Sequence, residues 1–515
     1  MHPMTTKLRL GAAIGVLVCS SALADDWTQF GYDAAHTGNN TAETTINAGN
    51  VSQLITLYNV DLPAGVDSAP IYVSNVATSS GTKNVLFAFG SSSLGDFSST
   101  MGTIMAIDAS DGSVIWSHDT TGSSQHASSS PAVDAAHQYV YSFGVDGYVH
   151  KYAIGTGVEV TTGGPTGWPQ AITLKPDVEK VASGLTIAST GGTEYLVAVT
   201  NGYDGDGGDY QGHIVSIDLS NGVHTVFNAM CSTVTMLLAD GGCPNGRESG
   251  IWGRGGAAYD AATNQIYVTT GNGQFRLDST HHNWGDSVVA LGLDGSGSGG
   301  GMPRDSYTPT NFQDLDNADI DLGSISLAIV RAPTGSSVAH IGVQGGKDAM
   351  LRIINLDDMS GQGGPGQVGG ELQLIDAPAG AGGMREQPAA WVDTNGDGAS
   401  WVFVASFNGV AGVKMELNGT QPSMNPVWQV GGAATSPILA NGILYSFANC
   451  SGNTCIVARD PTTGDVLWNS DTVSQPHWQS PILVNGVIYA IDGNGSLWAF
   501  GLPRTDNIFN NGFDP

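Results

Sequence analysis

Residues 436–468, SPILANGILYSFANCSGNTCIVARDPTTGDVLW, read as a complete structural unit. A Ser-Pro opens it, and short apolar runs alternate with turn residues: Ile438-Leu439, the pair Asn441-Gly442, then 443–447 and 456–459. Asp460 and Gly464 bracket a five-residue corner before Val466-Leu467-Trp468. Asn-Gly suits a two-residue hairpin, and Asp-x-x-x-Gly a turn in which the Asp carboxylate takes backbone N–H groups while Gly adopts positive φ. The unit is therefore predicted to be four short antiparallel strands ending in a Trp with a large apolar face to offer a neighbour.

The same order recurs upstream. Ser68-Ala69-Pro70 opens a unit with runs at 85–89 and 104–107, a corner from Asp108 to Gly112, and a closing Val114-Ile115-Trp116. Eight such units begin near Ser68, Ser128, Val181, Gly250, Gly323, Gln387, Ser436 and Ser480. A repeat of about 40–50 residues that cannot bury its own faces is the signature of a ring or solenoid. Pro70, Pro131, Pro388, Pro437 and Pro481 stand at unit openings. Proline cannot donate to a ladder, so each opening strand is expected to be a sheet edge. The eighth unit runs out after three strands, and the orphan strand at 54–62 (LITLYNVDL) is available to complete it. The expected fold is all-β: an eight-bladed β-propeller of four-stranded antiparallel blades, closed by an N-terminal strand joining the last blade.

Residues 1–24 are expected to be a secretory signal: Lys7 and Arg9 precede an apolar run from Leu10 to Cys19, and Ala22-Leu23-Ala24 offers a cleavage site. The propeller domain then spans 25–502 and a tail 503–515, whose Ile508-Phe509 and Gly512-Phe513-Asp514 suggest a processing or anchoring tag. The chain is expected to be exported, periplasmic or extracellular, without a membrane span, and monomeric. Past the leader, four cysteines fall in two close pairs, and export predicts the disulfides Cys231–Cys243 and Cys450–Cys455. The first closes a loop worth about 3 kcal/mol in the chain-entropy account. A net charge of −29, from 17 Lys and Arg against 46 Asp and Glu, argues against nucleic acid or an anionic membrane as partner.

The Asp-x-x-x-Gly-x-x-x-Trp repeat, with Trp27-x-x-Phe30-Gly31 and His36-Thr37-Gly38 near the N-terminus, resembles the quinoprotein alcohol-dehydrogenase-like β-propeller superfamily over residues 27–502. That group holds both pyrroloquinoline-quinone dehydrogenases and non-catalytic scaffolds such as the outer-membrane assembly lipoprotein of the BAM complex. The stretch 251–275 (IWGRGGAAYDAATNQIYVTTGNGQF) carries much of the likeness. In the catalytic branch, the resemblance implies that Asn272 contacts calcium beside the quinone, followed by Asp286 in Gly285-Asp286-Ser287. It implies that Asp319 or Asp321 is base and metal partner, and that Lys347 contacts the quinone. Calcium and the quinone are the cofactors it implies.

Departures weigh against the quinone. There is no Cys-Cys pair to cover one of its faces, and Gly256 falls where the aromatic floor should be, with Trp252 four residues early. Asp204, Asp206 and Asp209 lie where a calcium-binding Glu is expected. A separate calcium expectation is Asp393-Thr394-Asn395-Gly396-Asp397-Gly398, which alternates oxygen ligands around a bend but lacks the terminal Glu of an EF-hand; its alternative is an Asx-rich hairpin turn.

Residues just before each opening strand should line the mouth of a propeller's channel. They are Asp67, His126, Glu179, Lys180, Arg247, Glu248, Asp321, Arg385, Glu386, His477 and Trp478, with Trp252 and Arg254 close by. The cations suit a small anionic or polyhydroxylated ligand, and the acids could instead seal each cation in place. The reading from sequence is a binding or scaffold protein that takes a small molecule or protein at this rim, the alternative being a quinone- and calcium-dependent dehydrogenase.

Overall fold

The computed structural model describes residues 26–91, 100–122, 127–162, 167–203, 206–244, 246–278 and 282–503. The leader, residues 504–515 of the tail, His126 and Asp204 lie outside them.

Eight four-stranded antiparallel units form in chain order, each opening with its innermost strand. The first is Ile71–Thr78, Gly81–Ser91, Met101–Asp108 and Val114–Thr121. The seventh is Ile438–Ala440, Ile443–Cys450, Asn453–Arg459 and Val466–Asn469. Middle strands such as Ile443–Cys450 are buried along most of their length, because both faces of a blade pack against neighbours. The eighth blade has Ile482–Val484, Val487–Ile491 and Ser496–Gly501, and Ile55–Asp61 pairs antiparallel with the last of these, Asn59 opposite Trp498 and Thr56 opposite Phe500. The ring closes as expected.

The corner residues show why the repeat has its form. Asp108, Asp218 and Asp460 each accept the N–H two residues on at 2.8–2.9 Å, and each one's own carbonyl takes the N–H of Gly112, Gly222 or Gly464. Those glycines have φ of 73–79°. The closing Trp reaches the next blade's corner: Trp116 Nε1 donates to the Ile154 carbonyl at 2.9 Å and Trp428 Nε1 to Pro461 at 2.8 Å. Trp468 Nε1 donates to Leu54, at the edge of the closing strand, at 3.1 Å. A Cβ on Gly157 or Gly464 would lie 2.7 Å from the Trp116 or Trp428 ring, so Gly is required there for close approach as well as for φ. At the seam the N-terminal strand supplies Tyr58 in the Trp role, its hydroxyl donating to Ala109 at 2.9 Å.

The N-terminal segment before that strand crosses the channel. Trp27 exchanges backbone bonds with Tyr72, Thr28 accepts from Val133, and Gln29 brackets Ile187. Ala34 accepts from Tyr259, Thr37 from Ala390 and Gly38 from Leu439, while Asn40 Nδ2 donates to Leu483 at 2.8 Å. Asn39–Asn40 pair in parallel with the seventh blade's inner strand. The segment thus satisfies inner edges of blades 1–4 and 6–8, and it blocks the channel partway down. His36, 1% exposed, pins its centre, with its ring bonded to the Phe30 carbonyl and to Thr186.

Both expected disulfides form, Cys231–Cys243 and Cys450–Cys455, with Cα separations of 5.8 and 5.9 Å. They agree with an oxidising compartment. Among the described residues no helix is long and apolar enough to cross a membrane.

Candidate ligand site at the channel mouth

Above the N-terminal segment, the loops that lead into the inner strands enclose a cavity of about 310 Å³. Of the expected residues, Lys180, Trp252, Arg254, Asn272, Asp319, Asp321, Lys347, Arg385, His477 and Trp478 line it.

Arg254 forms the floor. It is 1% exposed and its guanidinium donates to the carbonyls of Ala182, Ser128 and Asp67 and to the Ser128 hydroxyl. Its Nε has no partner among the described residues. Among the described residues no carboxylate lies within ion-pair distance of it, so burial lowers its pKa, with Asp67 and Glu386 opposing from further away. The local sequence places it: the flanking glycines let the backbone press against neighbouring segments, so that a Cβ on Gly253 would sit 2.4 Å from the Ile325 carbonyl carbon and one on Gly255 2.9 Å from the Gln387 side chain. Trp478 stands over the guanidinium, 5.7 Å from ring centre to Cζ, and Trp252 meets Trp478 edge-on at 6.3 Å and 67°. Asp67, at the first blade's opening, accepts from the Trp478 N–H at 3.1 Å and pairs with His477 at 2.9 Å, so the ring's seam also fixes this wall.

On another wall Lys347 pairs with Asp319 at 2.9 Å and with the buried Asp321, and its ammonium lies 5.3 Å from the Trp252 ring. Burial works against the Lys347 charge, but the two carboxylates outweigh it and its pKa is raised. Burial pushes Asp321 up while Lys347 pulls it back. Asp321 also accepts the Asn272 N–H at 2.7 Å. Behind this turn Asp286 is fully buried, one oxygen taking the Leu322 N–H at 2.9 Å and the other without a partner among the described residues; burial raises its pKa well above its ordinary value. Arg385 donates to Gly382 and lies 5.8 Å from the Phe407 ring, and the Lys180 ammonium lies 5.2 Å from the Tyr203 ring.

Four expected rim residues lie elsewhere. Arg247 and Glu248 pair with each other at 2.9 Å outside the cavity. Glu386 is buried and accepts from the Ser436 N–H and hydroxyl at 2.8 and 2.7 Å rather than answering Arg385. Glu179 likewise turns away from Lys180 to a buried set with Lys175 at 2.9 Å and His213 at 3.0 Å. Of the rim acids, Glu248 answers Arg247 and Asp321 answers Lys347, whereas Glu179 and Glu386 take other partners. Sequence reading missed Tyr203, Tyr210 and Asn201 on the remaining wall. Their signal was the Gly- and Asp-rich run 201–210, an insertion between two strands of blade 3 in which Asp206 accepts from Tyr210 at 2.6 Å.

The hairpin between Ala389–Val392 and Ser400–Ser406 holds Asp393, Asn395 and Asp397. Asp393 accepts the Gly396 N–H at 2.8 Å, and Asp397 the Ala399 N–H at 2.9 Å and the Lys414 ammonium at 2.6 Å. These carboxylates serve the turn and a lysine.

No protein-family model and no curated protein matches the sequence. Solved structures do match. The quinohemoprotein alcohol dehydrogenase ADHIIG from Pseudomonas putida HK5 shares 14% identity at a TM-score of 0.61, over 95% of this chain and 82% of that one. A europium-containing methanol dehydrogenase shares 13% identity at 0.61, over 93% and 98%. Sqt1 from Chaetomium thermophilum shares 11% at 0.50, over 87% and 99%. The fold is therefore an eight-bladed propeller similar to those of the quinohemoprotein alcohol dehydrogenase and the methanol dehydrogenase, at low sequence identity.

Proposed function

We propose that this chain is a binding propeller whose channel-mouth cavity takes a small anionic ligand. The observation that carries the reading is Arg254: a fully buried guanidinium at the base of a dead-end cavity, bonded to carbonyls and a hydroxyl, with an orphan Nε. A buried charge without a counter-charge is costly, and an anion above it supplies one. Lys180 and Arg385 on the walls add positive potential in a chain with 46 acidic residues, and Trp252 and Trp478 offer apolar faces for the ligand's body.

A second reading, a quinone- and calcium-dependent dehydrogenase, is favoured by the convergence of Trp252, Asn272, Asp321 and Lys347 on one cavity. The donor set fits it poorly. The two indoles stand edge to face rather than as a parallel slot, and the Asp321 carboxylate is already held by Lys347 and the Asn272 N–H. No group of three His, Cys, Asp or Glu suited to a metal occurs among the described residues.

Purified protein is titrated with citrate and with inorganic phosphate, and separately with pyrroloquinoline quinone plus calcium. The proposed reading expects saturable stabilisation by at least one of the two anions, weakened by added salt. Stoichiometric quinone binding with dye-linked alcohol oxidation would replace it with the second reading, and no response to either anion would overturn it.

A further inference from the structure

At the opposite end of the channel, beyond the N-terminal segment, lies a groove of about 540 Å³ that shares no lining residue with the mouth cavity. Its walls are the far ends of the inner strands of blades 5 and 6, the Asn441-Gly442 turn of blade 7, and residues 37–44. We propose that this groove is a second binding site, for an acidic oligosaccharide.

The one aromatic residue of the lining is Trp391, whose indole is partly exposed and whose Nε1 has no partner among the described residues; Ile329, Val330 and Val392 add smaller aliphatic surface beside it. Around it stand short amides and hydroxyls. Asn40 and Asn441 belong to the scaffold, donating to Leu483 and Ile46 at 2.8 Å each. The side chains of Asn39, Thr41, Thr44 and Asn395, by contrast, make no hydrogen bond among the described residues. Strand alternation explains the division: Asn40 points into the ring and is 0% exposed, so Asn39 and Thr41 on either side point out. Groups that both donate and accept, beside one flat aromatic surface, match the alternating hydroxyls and apolar C–H faces of a sugar ring.

Charge decides the kind of sugar. Arg331 is exposed on this wall and has no carboxylate partner among the described residues, in a chain with 46 acidic side chains to offer one. Glu43, on the same wall, cannot answer it: it is 3% exposed, and its two oxygens take the backbone N–H groups of Thr45, Ile46 and Gly486. A guanidinium left open in this way suits the paired oxygens of a uronate carboxylate.

The test is calorimetric titration with trigalacturonate and with maltotriose as its neutral counterpart, on the full chain and on Trp391→Ala, Arg331→Met and Asn395→Ala variants. Arg331 and Asn395 are exposed, so their replacement leaves the melting temperature unchanged and keeps the test readable if Trp391→Ala unfolds. The site predicts that trigalacturonate binds at least tenfold tighter than maltotriose. Arg331→Met should erase that preference, and Asn395→Ala should weaken trigalacturonate severalfold. Equal binding of the two sugars, no binding of either, or affinity that survives all three substitutions would overturn the proposal. So would loss of trigalacturonate binding in Arg385→Met, which belongs to the mouth cavity.

Discussion

Glu386 is the residue whose environment departs furthest from what its position in the sequence suggests. The residues before Pro388 place it at the rim, yet it is buried against Ser436, and burial, partly offset by Ser436 and Arg254, raises its pKa from the usual value near 4.5 to about 7. In the folded state the proton is held up to about pH 7, while in the unfolded chain it is lost near 4.5. Stability from this group is therefore complete below pH 4.5 and is lost as pH rises through 7, by at most about 3 kcal/mol. Urea unfolding of the Glu386→Gln variant at pH 4.5 and 8 is expected to show a smaller pH-linked loss than the parent; an unchanged difference would assign the effect to other groups. The sequence showed the types of residue at the mouth but not their pairings. Whether a Glu faces Arg385 or the next blade's Ser436 depends on blade-to-blade geometry that no local pattern encodes. The Arg254 floor was legible only as one Arg in a Gly-rich run, because its burial follows from backbone approaching on several sides.

At the scale of elements the repeat was highly legible, since each corner and hairpin carries its own turn chemistry and the apolar runs mark the strands. The closing Trp illustrates it. Replacing Trp428 with Phe removes the Nε1 bond to Pro461, which should cost about 1 kcal/mol, whereas Gly464→Ala brings a Cβ to 2.7 Å from that ring at φ 79° and should cost more. Chemical denaturation of the two variants checks the order; the reverse order would mean that the corner relaxes freely. Tyr58 stands in the same role at the seam, so Tyr58→Phe should also cost about 1 kcal/mol. The N-terminal segment was not legible as a plug. Its residues carry no strand pattern, and its bonds go to the inner strands of blades 1–4 and 6–8, up to 443 residues away.

The whole molecule is a ring whose channel is blocked partway down, which turns a through-hole into two separate recesses. Because residues 26–40 bond to the inner edges of most blades and Ile55–Asp61 closes the last one, a chain starting at residue 63 has a ring with two open edges and an unpaired centre. It is expected to lose cooperative thermal unfolding, and a truncated chain that melts like the parent would contradict the closure. In a chain of −29 net charge, the gathering of Lys180, Arg254, Lys347 and Arg385 at one recess is the least expected feature of the surface, and the one on which the functional reading turns. The direct measurement is calorimetric titration of citrate into the parent, Arg385→Met and Arg247→Met proteins at low salt. Arg385 lines the cavity, whereas Arg247 carries the same charge nearby but pairs with Glu248 outside it. The account predicts that Arg385→Met weakens citrate binding about tenfold while Arg247→Met leaves it within twofold of the parent. Equal losses in both variants, or none in either, would contradict an anion site at the channel mouth.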